Sequence, residues 1–82
     1  MNVANVHNLL DSRFILGGIN YVSTFVRPEN VYCELSKFMD SATYTGAVHF
    51  ALGVTIAAED AGYIGPCEAF DILDHLCARL AA

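Results

Sequence analysis

The chain has 82 residues, 55% of them hydrophobic, with four Lys or Arg against nine Asp or Glu. Ordering it costs conformational entropy on the order of 100 kcal/mol, so most apolar side chains are needed inside and little is left for an elaborate active site. A net charge of −5 cannot neutralise a run of phosphates, which excludes direct nucleic-acid binding as the expected role.

Val3, Val6, Leu9, Leu10 and Phe14 recur at steps of three and four, which predicts a helix over residues 3–16. Gly17-Gly18 is expected to break it. Met1 to Arg13 has no early positive charge and no apolar run of signal-peptide length, so it is not read as a secretion signal. Ile19 to Val26 is rich in β-branched and aromatic residues and suits a short strand or a helix. Helix is preferred, because no second strand is visible to pair with it.

Arg27-Pro28 punctuates the chain, and proline is at home in the first turn of the helix it opens. Val31, Leu35, Phe38 and Met39 then fall at i, i+4, i+7 and i+8, with Glu29, Glu34 and Lys37 on the wet side. Asp40-Ser41 ends this helix and offers an N-cap to the next. Thr43 to Ala58 is apolar nearly all round, the pattern of a central helix with neighbours on most sides. Its uncharged run, Ser41 to Ala58, is shorter than the roughly 20 residues a membrane-spanning helix needs, so no membrane is expected. Gly46 and Gly53, seven apart, share a face on which another helix can approach closely.

Glu59-Asp60-Ala61-Gly62 reads as an exit turn with Gly62 as its left-handed terminator. Gly65-Pro66 opens the last helix, with Glu68 in its first turn and Arg79 in its last, as the helix dipole prefers. Its expected apolar stripe is Phe70, Leu73, Cys77 and Leu80, broadened by Ala69, Ile72 and Leu76. The fold expected is all-α: one domain over residues 1–82, a compact bundle of four to five short helices.

Few side chains are grouped for chemistry. Glu68, Asp71, His75 and Arg79 share one face of the last helix, and Asp71 is placed to orient His75 as a base. Such charges at three and four residue spacing are more often a solvated face, and no Ser or Thr accompanies them as nucleophile. His75 and Cys77 point to different sides of a helix, His7 and His49 lie elsewhere, and no paired ligands announce a metal. No cofactor, metal or catalytic residue is therefore expected. Cys67 follows Pro66 at a helix start, where the dipole activates a thiol; the simpler reading is a small buried hydrophobe near a turn. His49, inside the apolar helix, is expected to bond a carbonyl. Cys33, Cys67 and Cys77 cannot all pair within one chain, which favours a reducing cytosol. A helix-turn-helix with its second helix after Pro66 fails on charge, since Glu68, Asp71 and Asp74 would meet the DNA backbone.

The mid-chain Asp40-Ser41, together with the length, acidity and helical content, is similar to acyl carrier proteins and their Asp-Ser-Leu motif. Here Ala42 replaces the leucine. The resemblance implies that Ser41 begins a helix and receives a phosphopantetheine arm.

Charge is distributed unevenly. Residues 1–40 carry Asp11, Glu29, Glu34 and Asp40 against Arg13, Arg27 and Lys37, whereas residues 41–82 carry Glu59, Asp60, Glu68, Asp71 and Asp74 against Arg79 alone. A negative field of this kind attracts basic partners and keeps an apolar chain soluble. The expected function is a small acidic interaction module, not an enzyme, that binds and occludes a larger basic-surfaced protein through Glu59, Asp60, Glu68, Asp71, Asp74 and His75. Phage-encoded inhibitors of host defence machinery offer an analogy of size and charge. A self-assembling homo-oligomer, dimeric through its apolar excess, is the alternative, and an acyl-carrier-like protein modified on Ser41 is the second.

Overall fold

The computed structural model describes residues 10–81. Four α-helices account for most of them: α1 Ser12–Phe25, α2 Val31–Ser41, α3 Thr45–Asp60 and α4 Pro66–Ala81, with a 3-10 turn at Pro28–Asn30 before α2. No strand occurs among the described residues, so Ile19 to Val26 belongs to a helix up to Phe25. The all-α bundle expected from the periodicity is the observed architecture, although residues 3–9 of the first expected helix lie outside the described segment.

Helix α1 starts where Asp11 accepts the Arg13 backbone N–H at 2.8 Å, an N-cap strengthened by a 3.1 Å ion pair between the same two side chains. It then runs straight through Gly17-Gly18, where a break was expected. The reason is tertiary. A Cβ on Gly18 would collide with the Gly53 carbonyl group and come within 2.8 Å of the Val54 nitrogen, and one on Gly53 would collide with the Phe14 carbonyl. Two bare backbones meet there, and the packing of α1 on α3 outweighs the cost of about 1 kcal/mol that each glycine imposes on a helix. Gly46 does not share this role, since the space above it is filled by its own neighbour's ring, Tyr44. Helix α1 closes as Val26 turns extended ahead of Arg27-Pro28.

Val31 and Leu35 are buried on α2, with Phe38 and Met39 packed partly against the core, as the spacing predicts. The expected N-cap from Asp40-Ser41 to the following helix does not form. Ser41 is still helical, its hydroxyl donates back to the Lys37 carbonyl at 2.6 Å, and α3 starts at Tyr44 without a side-chain cap. Helix α3 is the central element, packed by α1, α2 and α4. Thr55, fully buried on it, is satisfied by donating to the Ala51 carbonyl at 2.8 Å. Its exit is the expected one: Gly62 has φ +80°, its N–H reaches the Glu59 carbonyl, and Tyr63 N–H reaches that of Ala58. This paired closure satisfies the last carbonyls of α3 and turns the chain toward α4.

Helix α4 buries Ala69, Ile72, Leu73, Leu76 and Cys77. Phe70, expected in that stripe, is 56% exposed instead. Ala69, Ile72 and Leu76 centre the buried face, which moves Phe70 to its margin at the start of the second turn, where no described neighbour covers it. Arg79, expected on the wet face, turns inward and donates to the Ala42 carbonyl at 2.8 Å, tying the end of α4 to the α2–α3 connection.

One polar contact joins α1 to α2. Tyr21 donates to the Glu34 carboxylate at 2.9 Å, and Lys37 lies 3.3 Å from the same carboxylate. The Tyr21 ring meets Phe38 and Phe50 edge-on, with centroids 5.3 and 5.7 Å away, so one side chain links three helices. The Tyr21 hydroxyl first, and the Lys37 ammonium second, hold the Glu34 carboxyl below its usual range. A carboxyl depressed in the folded state stabilises above its unfolded pKa and loses that contribution as pH falls through the folded one. Stability to urea should therefore decline from about pH 4.5 downward, partly through Glu34. Tyr21→Phe should cost about 1 kcal/mol at neutral pH and flatten that decline. Equal acid sensitivity in both proteins would show that the contact is not the source.

Candidate interaction surface

Glu59 and Asp60 end α3, and Glu68, Asp71, Asp74 and His75 lie along the outward side of α4; all six are exposed. Among the described residues, none of the five carboxylates lies within ion-pair distance of Lys or Arg, since Arg79 is committed to Ala42. Glu68 folds back against Gly65 at the entry of its own helix, where the dipole favours it. Asp71 lines a shallow apolar depression of about 350 Å³ with Pro66, Cys67 and Phe70. Asp74 is one helical turn beyond Phe70 on the same side. Asp60 instead borders an apolar crevice of about 130 Å³ formed by Ile15, Ile19, Ile56 and Ala57 between α1 and α3.

The remaining chemical groupings stay apart. Asp71 and His75 are both exposed, with no hydrogen bond between them among the described residues. No cluster of three His, Cys, Asp or Glu that could hold a metal occurs among those residues. Cys67 is exposed, not the buried small hydrophobe expected, because the second position of α4 faces away from α3. Cys77 is the buried thiol, and burial pushes its pKa up. His49 is half-buried with its ring edge-on to Phe14, centroids 5.5 Å apart, and among the described residues it makes no hydrogen bond to a carbonyl, the contact expected of it. Ser41 ends α2 and bonds within it, whereas the acyl-carrier resemblance requires a serine at the start of a helix. The placement does not fit a prosthetic arm. No described helix is long and apolar enough to cross a membrane.

A second feature of the surface has no signature in the sequence. A cleft of about 530 Å³ opens where α1, α2 and α3 meet, walled by Phe14, Phe38, Tyr44 and Phe50 and floored by Ser41, Ala42, Gly46 and Ala47. Phe14 and Phe38 look like ordinary core positions in a periodic pattern, and no local signal says that three helices leave space between their rings. Comparison with protein-family models, curated proteins and solved structures found no match to this chain.

Proposed function

We propose that this protein is a cytosolic binding module without chemistry of its own, and that it grips a larger basic-surfaced protein with the outer face of α4, as an inhibitor or adaptor. The observation that carries the reading is Phe70, a large ring 56% exposed, with Asp71 beside it and Asp74 one turn on, neither neutralised by a described cation. An aromatic anchor with charged neighbours is the arrangement that dominates protein–protein affinity, the ring supplying buried area and the carboxylates steering and orientation. Exposed Cys33 and Cys67 favour a reducing compartment. Affinity capture from the native host, followed by mass spectrometry, tests it. A specific partner should be retained at low salt, lost in about 0.5 M salt, and lost with Asp71→Lys/Asp74→Lys. Capture indifferent to both changes overturns the reading.

Self-assembly is the second reading, and α1 favours it. Leu16 and Ile19 are 61% and 46% exposed on a helix with no charge between Phe14 and Phe25. Light scattering separates the two, a monomer at all concentrations opposing assembly and a dimer supporting it.

A further inference from the structure

We infer that the groove between α1 and α3 is a docking site for a basic amphipathic helix of a partner protein, separate from the acidic face on α4 and independent of the reading given to that face. Two adjoining hollows of about 130 and 160 Å³ form the groove, and they share Ile19, Ala57 and Asp60. Ile15 and Ile56 complete the first, whereas Val22, Ser23 and Tyr63 complete the second. A space of this size holds one aliphatic side chain. One hollow is walled on α1 by Ile15 and Ile19 and the other by Ile19 and Ser23, a step of about 6 Å, or one helical turn. Apolar side chains four residues apart on a docked helix have the same spacing, which is how amphipathic segments fill a groove. Ile19, between the hollows, is 46% exposed, and Leu16, nearly one turn before it, is 61% exposed, so apolar area is left for a partner to cover.

The charge of the partner follows from Asp60, the one charged side chain lining either hollow. It is exposed, with no cation within ion-pair distance among the described residues, and Glu59 beside it in sequence is in the same condition. The direction of the helices adds to this field. Contacts between α1 and α3 advance together along both, from Phe14 against His49, through Gly18 against Gly53, to Val22 and Ser23 beside Ala57 and Ala61. The two helices therefore run parallel, and both bring their negative C-terminal ends to the end of the groove that holds Asp60. Arg27, just past the end of α1, is not within ion-pair distance of that carboxylate. A purely apolar segment seated here would cover the Asp60 carboxylate without pairing it, and an acidic segment would be repelled. A segment with Lys or Arg between its two apolar residues matches both the hollows and the charge.

An amide-resolved NMR titration of the full chain tests the assignment with an alanine-based helical peptide of about 15 residues, carrying two leucines four apart and two arginines between them. Binding should saturate with a dissociation constant of about 1 mM or below, with shifts centred on Ile19, Ala57 and Asp60. The same peptide with glutamates in place of the arginines should not saturate, and one with alanines in place of the leucines should bind at least about tenfold more weakly. Asp60→Asn should weaken the arginine peptide by about threefold, the scale of an exposed ion pair, and Asp60→Lys should transfer the preference to the glutamate peptide. Asp71→Lys/Asp74→Lys should leave the affinity nearly unchanged at about 0.15 M salt, which separates this groove from the α4 face. Urea unfolding of each variant beside the parent confirms that the comparison is between folded proteins. Absence of saturation, equal affinity for the arginine and glutamate peptides, an unchanged preference in Asp60→Lys, or shifts centred on α4 would each overturn the proposal. So would concentration-dependent shifts at Ile19 in the peptide-free chain, because they give the groove to a second copy.

Discussion

Gly53→Ala should destabilise the protein by about 3 kcal/mol, although the same exchange in an exposed helix interior stabilises by about 1 kcal/mol. The sign reverses because of what the new methyl group meets. At Gly53 it would run into the main chain of α1 at Phe14, its carbonyl carbon 3.0 Å away, and backbone has no rotamer by which to yield. Gly18→Ala meets the mirror-image obstacle, the Gly53 carbonyl and the Val54 nitrogen of α3, and should cost a comparable amount. Either substitution must push α1 off α3 and open the largest helix–helix contact in the molecule. The two should be far from additive, since the first separates the backbones that the second would have clashed with. Two neighbouring glycines serve as controls. Gly17→Ala would meet only the Phe50 ring at 3.4 Å, and Gly46→Ala only the exposed Tyr44 ring at 3.2 Å, so both should be neutral or mildly stabilising. Urea unfolding of the four single variants checks this, and uniform behaviour across them would remove the close approach as the organising contact of the fold.

Those glycines also show where the sequence is legible and where it is not. Gly62 acts alone: its positive φ ends α3 through bonds to residues of the same helix, so a local pattern is enough to read it. Pro28 and Pro66 are of the same kind. Gly17-Gly18 has the same local appearance as a terminator, and its actual role depends on Gly53, 35 residues away, which no window along the chain contains. The all-α class survives this error because burial of α3 on all sides and the stripes of α2 and α4 do not depend on it. The surface is less legible than the core. Carboxylate positions are exposed wherever they fall, so the six expected residues are outward as read, but their grouping depends on helix rotation. That rotation sends Glu68 back to Gly65, Asp60 to the α1–α3 crevice and Arg79 inward to Ala42. Phe70 was hidden by the same logic in reverse, because an aromatic at a stripe margin reads as core until its neighbour's reach is known.

Leu76→Ala should cost about 2–5 kcal/mol, because Leu76 is fully buried and α3 and α4 can collapse only partly around the space it leaves. Small domains start from a net stability near 5 kcal/mol, so this single change consumes much of it and should bring a substantial unfolded fraction at 37 °C. Phe70→Ala, six residues earlier on the same helix, should shift stability by no more than about 0.5 kcal/mol, as exposed positions do. Under the proposed function the ranking inverts for binding. Phe70→Ala should abolish capture of the partner while unfolding at the same urea concentration as the parent, since the ring's area is desolvated only in the complex. Leu76→Ala should retain the partner in proportion to the folded fraction, because its side chain never reaches the surface. Asp74→Asn should fall between, slowing association and reducing its salt dependence with little change in dissociation, as a charge at the rim of an interface does. Calorimetric or optical unfolding beside a binding assay separates these patterns. A Phe70→Ala protein that is as unstable as Leu76→Ala would place the ring in the core and remove the anchor; one that is stable and binds unchanged would remove the α4 face from the interface.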